Sequence, residues 1–551
     1  TPGYNDSTSD DAILKALDDA VADGMDVINM SFGAWDAARL ADDIEVEAVE
    51  RAVKAGVIVV ISAGNSGPDL NTITSPGTAP SAITVGATSN DRTFGSRVDV
   101  DGAGSVLAVN GSGTAPASAV SAQVADATQV DSTGLACSSL GSGSMSGKIA
   151  LIMRGSCTFE TKINNARSAG AIGVIVFAAE SSPDPFGMDV GAASLPAQMV
   201  SFGSGMRIRE LVAQGGTTAT MHFERAAVPI RANVAVDFSS AGPSVDLGIK
   251  PDLAAVGDDI YVATQTYDPL GEMYDPSGYA LVGGTSFSAP LVAGAAALLK
   301  SARPGLTVDQ YRSLLVNTAG AGLNRAGGTA SAQQVGGGVL NVLAAAQSTV
   351  AAAPVSLSFG TGGGTVSAKR SIAVTNLSGS DQTFSITVEP RVADDAAPVP
   401  VMNTIQLGPG ASAEIPVEWN ASTIGPGSHE GALVISSVAT GGRTTVPYWY
   451  AATSPATRVT ILDSISSGRR SSLQRDAVYI RVTDAAGVIV PEADVQVTVV
   501  SGGGSFVSAT SYDSDVPGVV GLTLRLGPAA GDNVFRIRVG DASTDVTITG
   551  R

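Results

Sequence analysis

The stretch Gly283-Gly284-Thr285-Ser286-Phe287-Ser288-Ala289-Pro290-Leu291-Val292-Ala293-Gly294 runs on through Ala295-Ala296-Ala297-Leu298-Leu299-Lys300. A glycine pair, a serine and a run of small apolar residues predict a tight turn that feeds straight into a buried helix. Ser286 then falls in the first helical turn, where unpaired backbone N–H groups and the positive end of the dipole favour developing negative charge. The position suits a nucleophile. It also suits a serine that only caps the helix, and the segment alone leaves both readings open.

Working outward, residues 10–23 show helical spacing through Ile13, Leu14, Leu17 and Val21 and stop at Gly24, followed by the short apolar run Val27-Ile28-Asn29-Met30. A second helical stretch reaches Ala55 and closes at Gly56, before the fully apolar Val57-Ile58-Val59-Val60-Ile61. Helices alternating with such strands predict a parallel sheet covered on both faces. Ligands of these sheets bind beyond the carboxyl ends of the strands, where this chain places Asn29-Met30-Ser31-Phe32-Gly33 and Ser62-Ala63-Gly64-Asn65-Ser66-Gly67-Pro68. Asn65 reads either as an ordinary turn residue or as an amide donor to an oxyanion. An amide at a strand end and a serine at a helix start are two parts of an acyl-transfer site.

These segments resemble the subtilisin-like serine peptidases, the subtilases. The resemblance rests on Val27-Ile28-Asn29-Met30-Ser31-Phe32-Gly33, the Asn65 turn, Ile83-Thr84-Val85-Gly86-Ala87, Phe238-Ser239-Ser240-Ala241-Gly242-Pro243, Lys250-Pro251-Asp252-Leu253-Ala254-Ala255-Val256-Gly257 and the Ser286 segment, in the family's order. It implies Ser286 as nucleophile and Asn65 as oxyanion donor. It further implies that Ser31, Phe32 and Gly33 on one side, and Ser62, Ala63 and Gly64 on the other, are edges between which a substrate peptide lies as an added strand. By family position Thr74 stands near the base of the primary specificity pocket, where glycine is common, so a branched residue there would shorten the pocket. Calcium is frequent in the family, but no metal-ligand cluster and no other cofactor is assignable from the residues.

Between Val98 and Arg231 the pattern is interrupted. The strand-like 148–153, the helical 162–169 and the apolar 172–177 suggest a right-handed βαβ unit, and the insert resembles the protease-associated domain that many secreted subtilases carry at this point. Cys137 and Cys157 are the chain's two cysteines. They read as one local disulfide contributing about 3 kcal/mol through the unfolded chain, or as two buried thiols; the resemblance favours the disulfide, which implies an oxidising, extracellular setting. After Gln347 the pattern alternates in strand fashion. Residues 351–453 are similar to a fibronectin type III sandwich, and residues 454–551 resemble a bacterial Ig-like domain of the invasin type, modules that usually space, stiffen or adhere. The expected organisation is a first subtilase segment 1–100, an inserted α/β protease-associated domain 101–232, a second subtilase segment 233–350 with the nucleophile, and the two sandwiches.

The 551 residues carry 32 Lys+Arg against 51 Asp+Glu, an acidic balance that argues against nucleic acid or an anionic membrane surface as partner. No apolar run reaches the length of a bilayer span, and Thr1-Pro2-Gly3 opens no signal pattern. A serine nucleophile needs a histidine base held by an aspartate. The chain has two histidines, His222 at a strand-like end of the insert and His429 in Gly427-Ser428-His429-Glu430, read as a turn of the first sandwich, and neither stands in the family's His-Gly-Thr setting. In subtilases the Asp and His precede the segment that begins here, so an N-terminal truncation is the expectation, with an unpaired sheet edge left behind. In subtilisins themselves, loss of Ser or His costs about 10⁶ in turnover and loss of the Asn donor about 10² to 10³, so this polypeptide alone should be close to inactive. The expected whole is an extracellular serine endopeptidase acting on proteins or peptides, with further protein or surface contacts through the protease-associated and Ig-like domains. The alternative is a noncatalytic adhesion or scaffolding protein on a subtilase fold.

Overall fold

Four short strands, Val27–Met30, Ile58–Ser62, Ile83–Thr88 and Leu253–Val256, lie side by side in that order, all parallel. Ile58–Ser62 and Ile83–Thr88 are buried along their whole length, which is why their sequences show no polar alternation. Successive side chains point to opposite faces. Ile58, Val60, Ile83 and Val85 meet Ala289, Val292 and Ala296 of the helix Thr285–Ala302. Val59 and Ile61 meet Leu17 of the helix Asp10–Ala22 and Val46 and Val49 of the helix Ile44–Lys54. The computed structural model of the chain describes residues 8–551 except 114, 181, 270, 272, 394, 456, 492, 513 and 514; Thr1, Pro2 and Gly3 lie outside the described residues. Among the described residues Val27–Met30 ends the sheet, and Leu291 and Leu298 of the helix Thr285–Ala302 are exposed.

Lys250-Pro251-Asp252 leads into the last strand and buries an ion cluster. Asp252 accepts from Lys250 Nζ and Arg312 Nη2, each at 2.7 Å, and from the Thr84 backbone N–H at 2.8 Å. Burial opposes ionisation of this carboxyl, but Arg312 and Lys250 outweigh it and hold it below the usual range. Burial pushes the Lys250 amine down to about 8.

The insert is a closed barrel of seven strands, in which Ile149–Met153 and Gly173–Phe177 run parallel and are linked by the helix Phe159–Ser168. It begins earlier than residue 101. Arg92–Val100 pairs with Thr218–Pro229 and with Gly104–Asn110, not with the central sheet, so the segment expected to close the first subtilase piece is a barrel strand. Cys137 and Cys157 are bonded, with Cα atoms 5.7 Å apart.

Residues 350–452 form a four-stranded and a five-stranded sheet around a shared core that includes Phe384, Trp419 and Tyr448. Residues 457–550 form two four-stranded sheets around Ile480, Leu522 and Phe535. Neither is held at a distance as a spacer would be. Asn317 Nδ2 donates to Val355 O at 2.7 Å and to Thr445 O at 2.9 Å, and Trp449 packs with Ile249 and Ala332.

Replacing Asp252 by Asn leaves two buried cations facing a neutral group. Breaking a buried pair in this way costs about 3–5 kcal/mol, so Asp252→Asn is expected to lower the urea midpoint accordingly without changing the slope of the transition.

Candidate active site

The helix Thr285–Ala302 starts where the sequence pattern places it, and its first turn is fixed by Gly284. That residue has φ +156°, a region L side chains rarely adopt, and its N–H donates to Gly257 O at 2.7 Å. Ser286 is half-buried in the first turn. Its Oγ donates to Ser31 O at 3.3 Å, and Ser31 Oγ donates back to Ser286 O at 2.9 Å. Asn29 Nδ2 donates in turn to Ser31 Oγ at 2.9 Å. The serine is thereby seated against the end of the strand Val27–Met30.

Asn65 faces the same helix start. Its Oδ1 accepts from both the backbone N–H and the hydroxyl of Thr285, each at 2.9 Å. A backbone N–H can bond only to an acceptor, so the amide's orientation is decided by chemistry: oxygen toward Thr285, nitrogen away. Asn65 Nδ2 lies beside Gly284, 3.5 Å from where a Cβ there would be. Thr285 Oγ1 also accepts from the Gly64 N–H at 3.2 Å. The arrangement leaves the amide N–H₂ beside Gly284 and, in the first helical turn, the Ser286 N–H as donors at the start of the serine's helix, the parts needed to hold a developing oxyanion.

The two expected edges meet across a common floor. Ala34, just after Gly33, and Ser75 exchange backbone hydrogen bonds at 2.9 and 3.0 Å. Thr74 donates from its N–H to Ala63 O at 3.1 Å and from Oγ1 to the same oxygen at 3.3 Å. Its buried side chain fills the gap between Gly33 and Gly64. A Cβ at Gly64 would come within 2.7 Å of Thr74 Cγ2, and one at Gly33 would run into Thr74 Oγ1. Ser62 Oγ donates to Phe32 O at 3.4 Å, and the Phe32 side chain is exposed.

Neither histidine is at the serine. His222 sits in the barrel strand Thr218–Pro229 with Nε2 2.9 Å from Asp99 and Nδ1 3.4 Å from Glu224. His429 lies in the strand Gly427–Ser437, not in a turn, and its two ring nitrogens bind Asp395 at 2.8 Å and Gly425 O at 2.7 Å. Among the described residues no group of three or more His, Cys, Asp or Glu is placed to hold a metal ion. No helix among them is long and apolar enough to cross a membrane.

The structure brings Ser286 and Asn65 to the start of one helix, and sequence reasoning missed what orients them. Thr285 and Ser31 stand inside the quoted motifs, yet their partners lie 220 and 255 residues away, and local pattern carries no trace of such pairs.

The model of the Subtilase family matches residues 2–338. The "Minor extracellular protease Vpr" of Bacillus subtilis is 32% identical over 368 residues, which are 65% of this chain and 43% of that protein. The "Subtilisin-like protease SBT1.5" of Arabidopsis thaliana is 33% identical over 337 residues, 57% of this chain and 43% of that protein. The "PI-type proteinase" of Lactococcus lactis subsp. cremoris is 29% identical over 325 residues, 54% of this chain and 16% of that protein. The chain thus spans less than half the length of these relatives.

Beneath the floor, Asp43 accepts from Ser75 Oγ at 2.6 Å while capping the helix Ile44–Lys54. Burial, with Asp10, Asp43 and Asp36 nearby, pushes the Glu45 carboxyl in its first turn from 4.5 up to about 7. The folded chain therefore holds this proton more tightly than the unfolded one, and stability falls as pH rises from 4.5 through 7. Thermal melts of the full chain should show Glu45→Gln raising Tm at pH 8 and leaving it unchanged at pH 4.5 relative to the parent.

Proposed function

The chain belongs to the subtilase family, and we propose that it is the nucleophile-bearing portion of an extracellular serine endopeptidase. The observation that carries this reading is the amide of Asn65, pinned through its oxygen to Thr285, next to Ser286 in the chain, with its nitrogen left beside Gly284. A scaffold has no need to orient that group. In the proposed reaction a substrate strand lies between residues 31–33 and 62–64, and Ser286 Oγ attacks the scissile carbonyl. The tetrahedral oxyanion is held by Asn65 Nδ2 and the Ser286 N–H.

The attack needs a base to take the hydroxyl proton. His222 and His429 are bound within the barrel and the first sandwich, so the base and its aspartate come from residues outside this chain, and this chain alone is close to inactive. The barrel is read as a protease-associated domain, and the two sandwiches as fibronectin III-like and invasin-type Ig-like modules. The bonded cysteine pair agrees with an oxidising compartment, as does the relative whose name calls it extracellular.

Two experiments test the proposal. A fluorophosphonate probe is expected to label the complete protein and not its Ser286→Ala variant; failure to label the complete protein would favour the noncatalytic scaffold. Thr74 should confine the primary pocket to small side chains. Thr74→Gly is expected to raise kcat/KM for substrates with Phe before the scissile bond relative to Ala by about tenfold or more, since each methylene of fit is worth about 1–3 kcal/mol.

A further inference from the structure

The last sandwich touches both loops that follow the expected substrate edges, and one of its strands reaches both with a single face. In Leu473–Asp484 the alternate residues Val478, Ile480 and Val482 point into the sandwich core. Tyr479 and Arg481 point the other way, onto a face that an isolated sandwich would show to solvent. Tyr479 packs on Trp35, ring centroids 4.6 Å apart, two residues beyond Gly33. Arg481 is 1% exposed and directs Nη1 to Asn71 O at 2.9 Å and to Asn71 Oδ1 at 3.0 Å.

Asn71 lies between the oxyanion turn and the pocket floor, and all its polar groups are engaged. Its N–H donates to Gly242 O at 3.1 Å, and its Nδ2 donates to Gly487 O, also at 3.1 Å, in the last sandwich. Its backbone is left-handed, φ +60°, a conformation asparagine tolerates better than most residues. Thr460, the cross-strand partner of Arg481, donates from Oγ1 to Asp69 Oδ2 at 3.0 Å.

The chemistry of Arg481 is unusual for simple glue. It forms no ion pair among the described residues, and its Nε and Nη2 have no hydrogen-bond partner. A buried cation without a counter-ion costs several kcal/mol. Both bonds that offset this go to a single residue of the cleft loop.

We infer that Arg481 is a positioning residue of the substrate cleft: through Asn71 it holds residues 69–75, the span that joins the Asn65 donor to the Thr74 floor. The inference rests on the reading of that span as part of a peptidase cleft. The last sandwich, on this view, is a working wall of the site, not an appended module.

Hydrogen exchange on the full chain tests this independently of any activity. Arg481→Met, which keeps the aliphatic stem, should accelerate exchange in residues 69–75 at least tenfold while leaving the central strand Ile83–Thr88 and the sandwich strand Val519–Arg525 within twofold of the parent. Thr460→Ala removes only the Asp69 link and should accelerate the same residues to a smaller extent, which keeps the test available if Arg481→Met does not fold. Unchanged exchange in 69–75, or equal acceleration throughout the chain, would overturn the inference. In the complete protein Arg481→Met should also raise KM for a tetra-alanyl amide about tenfold with kcat changed less; an unchanged KM would count against positioning. If the complete parent protein does not cleave that amide while the exchange pattern holds, it is the peptidase reading that has failed and not the clamp.

Discussion

The pairing of Ala34 with Ser75 holds the site together. It joins two loops that leave neighbouring parallel strands and would otherwise splay apart at the carboxyl end of the sheet. Because Thr74 is tied to Ala63 one residue before that pairing, the gap between the glycines at 33 and 64 is closed by a side chain whose size is set by sequence. The spacing between those two glycines follows from two backbone hydrogen bonds and one threonine.

The serine and the amide are then placed by a second, separate set of bonds. Gly284 lets the chain enter the helix, Thr285 takes the amide oxygen, and Ser31 and Ser286 exchange hydroxyl-to-carbonyl bonds. All are short-range polar contacts at the mouth of a helix whose body is buried in apolar packing. The division matters physically: small apolar residues let the helix sit close on the sheet, and the rigidity so obtained preorganises the polar groups at its start.

What could be read from the residues, and what could not, follows the range of the interactions. The strands Ile58–Ser62 and Ile83–Thr88, the helix after Ser286 and the strand–helix–strand unit of the insert were legible because burial and periodicity are local. Arg92–Val100 alternates like any strand, and nothing in its own nine residues says that its partners are Thr218–Pro229 and Gly104–Asn110. Arg481 was the least legible. In Val478-Tyr479-Ile480-Arg481-Val482 a tyrosine and an arginine on the outward face read as solvent-exposed, and their burial arises only when a module more than 400 residues downstream docks on the Asn71 loop. His429 likewise looked like a turn residue because Gly427-Ser428 precedes it, whereas the glycine opens a strand.

The charge pattern supports the same division of labour. The ion cluster around Asp252 is buried, one carboxylate set against the cations of Lys250 and Arg312, and it ties the start of the strand Leu253–Val256 to Thr84 of the neighbouring strand. The most direct measurement is a crystal structure of the complete protein with a peptide boronic acid. The geometry predicts boron bonded to Ser286 Oγ, a boronate oxygen within hydrogen-bond distance of Asn65 Nδ2 and the Ser286 N–H, and the peptide paired as a strand between residues 31–33 and 62–64. A boronate bound away from Ser286, or an Asn65 amide that turns its oxygen toward the boronate, would contradict it.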